Sequence, residues 1–231
     1  MRAARLRGNL GYLRVDAFEP PAKSSEPMDR AMGLLSSTDG LIIDLRWNSG
    51  GSAAAVAYLC SFFFAPGAPV HLNDLVRRKP STNDFTVESY WTKPVPVSYL
   101  GKPVYVLTSA RTISGGEEFA YDLQTQGRAV LVGERTKGGA NPGRIVRLGD
   151  RFAMFIPNGR ARNPITKANW EGVGVRPDKA TSSADSLAVA ARLALRSGER
   201  PRSRATVRDG AELSDLLEAD LMNAESGTGT P

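Results

Sequence analysis

Three short apolar runs constrain this chain more than any other feature: residues 41–45 (LIIDL), 104–107 (VYVL) and 129–132 (AVLV). Nearly continuous apolar character over so few residues favours strands covered on both faces. The first run leads into the turn Asn48-Ser49-Gly50-Gly51-Ser52 and then an apolar helical stretch over residues 53–64. The second leads through residues 108–113 into a helical stretch over residues 114–126, and the third follows directly. Strand, turn and helix in this recurring order predict an α/β fold. Its central sheet is expected to be mixed but mainly parallel, with helices on both faces, and ligands meet such sheets at strand C-termini.

The remaining segments fit around that frame. Residues 11–15 (GYLRV) read as a further strand, and Pro20-Pro21 closes it. Ser24 or Ser25 is placed to cap a helix over residues 26–35, with Pro27 in its first turn. Residues 70–78 and 85–90 alternate like a hairpin that Pro80, Pro94 and Pro96 confine to an edge. Two antiparallel strands are expected between residues 143 and 156 around Gly149-Asp150, and a helix over residues 185–195. The chain therefore divides into a basic lead-in (1–7), one domain (8–198) and a polar linker (199–231). In that last part Leu213, Leu216, Leu217 and Leu221 recur at helical spacing, as a docked amphipathic helix or a solvated tail.

Composition narrows the function. The net charge is +6, but the arginines are spread along the chain, with no dense basic block interleaved with aromatics, so no nucleic-acid partner is expected. One histidine and one cysteine cannot assemble a zinc set, and neither metal nor cofactor is expected. The lone Cys60 excludes an internal disulfide and reads as a small buried hydrophobe. No stretch reaches the roughly 18 apolar residues of a membrane-spanning helix. The compartment stays unknown: cytoplasmic, or periplasmic or secreted if a signal lies upstream of Met1. A homo-oligomer is left open.

The segment TSARTISGGEEFA, residues 108–120, is the most informative for chemistry. A serine at a first helical turn displays its hydroxyl at the strand edge, beside backbone N–H groups able to hold negative charge. Ser114 with Glu117 also matches a capping box, so cap and nucleophile both stand. Gly50-Gly51 lets backbone come close to a ligand, as a second oxyanion donor or simply a tight turn. Glu171, between Trp170 and Gly172, orients a base or faces solvent. Lys137 is expected to be exposed, and His71, in the edge excursion, is expected to be a surface or packed histidine. The run Phe62-Phe63-Phe64 reads as core.

Four pieces in order resemble the tail-specific, or carboxyl-terminal-processing, serine peptidase family: GNLGYLRVDAF (8–18), LIIDLRWNSGG (41–51), the Ser114 segment followed by GRAVLVGERTKGG (127–139), and NWEGVGVRPD (169–178). The likeness is nearer to the branch of the tricorn core and the modules of interphotoreceptor retinoid-binding protein. It implies a crotonase-like spiral fold and peptide hydrolysis through an acyl-enzyme. Ser114 then matches the nucleophile, Gly115 and the pair Gly50-Gly51 the oxyanion donors, and Glu171 the acid behind a histidine base. The lysine-using branch places its lysine 25 positions after the serine. Gly139 stands there, so the Ser–His–Glu branch is implied. That branch carries its histidine upstream of the GYLRV strand, where residues 1–9 hold none. Either the parent protein supplies it from an N-terminal region, or the domain lacks a base. The family's PDZ-type insert has no counterpart. Two functions are therefore carried forward: a serine-type peptidase acting on peptide or unfolded protein, and a non-catalytic module binding peptide or apolar ligands.

Overall fold

The computed structural model describes residues 1–198, 215 and 219–222. Its main sheet has six strands, in the order β1 (Arg2–Leu6), β2 (Leu10–Arg14), β3 (Gly40–Asp44), β6 (Val104–Thr108), β7 (Val130–Gly133) and β11 (Lys179–Ala180). Only β1 runs antiparallel to its neighbour; every other pairing is parallel. Every residue of β3 and β6 is buried, as their apolar runs require.

Alternate residues of these strands serve two cores. Leu41, Ile43, Val104 and Val106 face α1 (Pro21–Leu35), α2 (Ala53–Ser61) and α3 (Gly115–Thr125), while Ile42, Tyr105 and Leu107 face α4 (Ser186–Gly198). Phe62 and Phe63 lie fully in the first core, as does Cys60. The mixed α/β reading with helices on both faces is thus what the chain adopts.

The hairpin of β4 (His71–Arg78) and β5 (Phe85–Trp91) forms. It belongs, however, to a separate three-stranded sheet in which β10 (Gly159–Arg162) covers the other side of β4, leaving β10 and β5 as the two edges. The expected pair near Gly149 is β8 (Gly143–Arg147) with β9 (Ala153–Pro157).

Two boundaries differ from the sequence reading. The first helix starts at Pro21, not residue 26, with Pro20 as its N-cap. Ser24 lies inside its first turn and donates back to the Glu19 and Pro20 carbonyls, so Pro27 is interior. Residues 1–7, read as a lead-in, contain β1, whose Ala4 and Leu6 are buried while Arg2 and Arg5 point outward. Charged residues on an outer strand are an ordinary guard against edge pairing. The linker expected over residues 200–208 and most of the leucine-spaced segment lie outside the described residues. Within that segment, residues 215 and 219–222 are helical. Asp220 there accepts from Arg7 at 2.8 Å, and Leu221 packs on the second core.

Candidate active site

The loops after β3 and β6 are sewn together. Thr112 Oγ1 donates to the Leu45 carbonyl at 2.8 Å, Ser109 Oγ to that of Arg46 at 2.5 Å, and Ile113 N–H to that of Asn48 at 3.2 Å. Asn48, fully buried, holds the glycine turn: its Nδ2 donates to the Val15 carbonyl and its Oδ1 accepts from Gly50 N–H, both at 2.8 Å. The start of α3 then lies directly over Asn48. A Cβ on Gly116 would stand 2.5 Å from Asn48 Oδ1, so no side chain fits there.

Ser114 is the N-cap of α3 and is exposed. Its backbone, at φ 55° and ψ −120°, occupies a region that non-glycine residues rarely visit. Such strain persists only where the surroundings enforce it, and here they do. Glu117, fully buried, accepts four hydrogen bonds on its carboxylate: Ser114 N–H at 2.8 Å, Gly139 N–H at 2.8 Å, Gly138 N–H at 2.6 Å and Thr136 Oγ1 at 2.5 Å. One carboxylate thus clamps the serine turn to the glycine loop after β7. The capping box expected of Ser114 and Glu117 forms, its carboxylate half through the Ser114 N–H.

The glycine turn passes under this serine. A Cβ on Gly50 would lie 2.7 Å from Ser114 Cβ and 3.1 Å from its Oγ. One on Gly51 would lie 2.1 Å from the Phe18 carbonyl oxygen, at a φ of 135° that disfavours side chains in any case. A Cβ on Gly115 would sit 3.1 Å from Gly51 N, so these two glycines are in close contact. Among the described residues, neither the Gly115 nor the Gly51 N–H donates to a protein acceptor. Gly50 differs from the expectation for the pair, because its N–H is engaged by Asn48.

Glu171 sits on the loop that closes one side. Its Oε2 accepts from Ala140 N–H at 2.7 Å and Asn141 N–H at 2.9 Å, and its Oε1 has no protein partner among the described residues. Ala140, together with Ser114, Gly51 and Trp170, lines a cleft of about 270 Å³. Glu171 is exposed and does not itself line the cleft; its carboxylate is tied to the backbone of Ala140, which does. Lys137 is exposed, as expected. His71 lies on the three-stranded sheet, its Nε2 2.8 Å from Asp74 Oδ1 and its ring stacked on Trp91 at 4.2 Å, and it does not line the cleft.

Residues that local sequence did not single out complete the site. Tyr90 and Arg77 reach the cleft from the three-stranded sheet, and Glu118 reaches it from α3. Burial pushes the Glu118 carboxyl up to about 7, against a weaker opposing pull from Asn73, and burial followed by the charge of Glu118 pushes Asp122 well up too. The available signal was a Glu-Glu pair with an aspartate one helical turn on. Nothing local said that this face of the helix is buried.

The comparisons with known proteins agree with this architecture. The profile of peptidase family S41 matches residues 9–181. The chain is 26% identical over 171 residues to carboxyl-terminal-processing peptidase 2, chloroplastic, of Arabidopsis thaliana, covering 73% of this chain and 31% of that one. It is 27% identical over 170 residues to the carboxyl-terminal-processing protease of Picosynechococcus sp., covering 74% and 38%. The chain thus spans about a third of the length of these curated relatives. The fold is similar to that of a photosystem II D1 C-terminal processing protease (TM-score 0.59, 23% identity, 78% of this chain and 45% of that one). It is also similar to that of a peptidase, described as putative, from Parabacteroides merdae (TM-score 0.69, 22% identity, 87% and 66%). A strained, exposed serine above two free amides, within a match that runs through most of the α/β domain, places this chain in peptidase family S41.

Proposed function

We propose that this chain carries a serine-peptidase domain in which Ser114 attacks a peptide carbonyl and the Gly51 and Gly115 N–H groups hold the oxyanion. The observation that carries this reading is the Ser114 turn itself: an exposed serine on a backbone at φ 55°, beside two N–H groups without protein acceptors. In the first step the Oγ proton passes to a base, and Oγ bonds to the carbonyl carbon. The negative oxygen forms where the two amides converge. Collapse expels the amine, which takes the proton from the base, and water then releases the acyl group by the same path. The base is an imidazole that this chain does not itself bring to the cleft, since its single histidine is engaged with Asp74 and Trp91. The partnerless Oε1 of Glu171 is the acceptor that orients that imidazole. The parallel strands joined through α1, α2 and α3 support the finer assignment to a crotonase-like spiral.

A second reading, a peptide-binding module without turnover, is favoured by the absence of an imidazole among the residues lining the cleft. A fluorophosphonate probe separates the two, applied with and without free imidazole. The peptidase reading expects labelling on Ser114, enhanced by imidazole and lost in Ser114→Ala. Labelling that persists in Ser114→Ala, or none under either condition, overturns it.

A further inference from the structure

Buried carboxylates are ordinarily paired with a cation. Glu118 and Asp122 break that rule. They stand one turn apart on α3, 6% and 1% exposed, and no ion pair among the described residues involves either. Glu118 Oε1 and Asp122 Oδ2 lack any hydrogen-bond partner. Asp122 Oδ1 has only a long contact, 3.4 Å, from Asn163 Nδ2. Arg77, the one cation on the wall, is turned outward to Asn158 Oδ1 at 3.3 Å. Of the two carboxyls, Glu118 is the one that lines the cleft, together with Ser114 and Gly51.

We propose that this cleft is a subsite for a lysine or arginine side chain of a bound peptide, and that Glu118 is the group that recognises the cation. The proposal rests on the peptide reading above and names its substrate class. The cleft, at about 270 Å³, accommodates one long side chain. Leu75 and Tyr90 supply the apolar wall that a lysine or arginine stem packs against, leaving the head group to meet the carboxyl. Glu118 lies one helical turn beyond the serine, so a side chain entering here belongs to a residue next to the attacked carbonyl.

The test is peptide binding to the full chain carrying Ser114→Ala, which keeps the cleft and removes turnover. Labelled peptides that differ at one scanned position (Lys, Arg, Gln, Leu or Glu) are compared by fluorescence anisotropy. Lysine or arginine at one position is expected to bind at least tenfold more tightly than leucine or glutamate there. In Glu118→Gln the lysine-to-leucine ratio is expected to fall to within about threefold. Should that variant fail to fold, Glu118→Asp, whose carboxyl is withdrawn by one methylene, is expected to shift preference from lysine towards the longer arginine. Equal affinities across the series, a preference for glutamine over lysine, or a preference that survives both substitutions overturns the subsite. Separate fluorophosphonate labelling distinguishes the failures. Labelled Ser114 without basic preference removes only the subsite, whereas basic preference without labelling removes only the hydrolase.

Discussion

Replacing Glu117 by glutamine changes one atom of a group that four donors face. A carboxylate offers about four acceptor sites on two oxygens, enough for the N–H groups of Ser114, Gly138 and Gly139 and the Thr136 hydroxyl. Glutamine keeps one oxygen. Whichever way its amide turns, an NH2 meets two donors: either Ser114 and Gly139, or Gly138 and Thr136. Two hydrogen bonds to a charged acceptor are lost and at least one buried N–H is orphaned. At about 1.5–3 kcal/mol for each such bond, the loss is about 3–6 kcal/mol. That is a large part of the roughly 5–15 kcal/mol by which domains are stable. Urea unfolding followed by tryptophan fluorescence reads it directly. Because the clamp enforces the φ of Ser114, fluorophosphonate labelling of the folded fraction should slow at least tenfold. A loss under about 1 kcal/mol together with undiminished labelling would refute the reasoning, since Glu117 would then neither hold the loops nor set the serine.

Three further outcomes follow from the same geometry. Glu118, raised to about 7 by burial, costs no stability below the ordinary carboxylate range, where it is protonated folded and unfolded alike. Stability is lost as pH rises from about 4.5 to about 7 and stays lower above that, by on the order of 3 kcal/mol; urea midpoints at pH 5 and pH 8 should differ in the wild type and differ less in Glu118→Gln, where the raised carboxyl of Asp122 remains. Gly50→Ala puts a methyl 2.7 Å from Ser114 Cβ at a φ of 92°, and should slow labelling of Ser114 while costing about 1–3 kcal/mol by thermal melt. His71→Ala should leave labelling of Ser114 unchanged, because the ring lies outside the cleft. It should cost only about 1 kcal/mol, as Arg162 and Ser89 continue to hold Asp74.

The extent to which the chain was legible follows from how local each signal is. The runs at 41–45 and 104–107 declared strands buried on both faces, because both faces must be apolar for that to be possible. Ser114 was legible as a residue of a strand-to-helix turn, but cap and nucleophile share one local pattern. What separates them is the tertiary clamp of Glu117 and the approach of Gly50 and Gly51, which come from loops distant in sequence. β1 was missed because Arg2-Ala3-Ala4-Arg5-Leu6 has no period-two alternation and few strand-favouring residues, and its pairing with β2 supplies what propensity lacks.

The sequence by itself determined the fold class, the order of strand and helix, and the serine and glycine loops that mark the family, since periodicity and turn chemistry are properties of neighbouring residues. Only the tertiary structure decided which amide of the glycine pair is free, where His71 goes, and that Glu118 and Asp122 are buried without a cation. Those are matters of which distant groups meet and which are kept from water, and desolvation and hydrogen-bond satisfaction act between surfaces that come together only when the chain has folded.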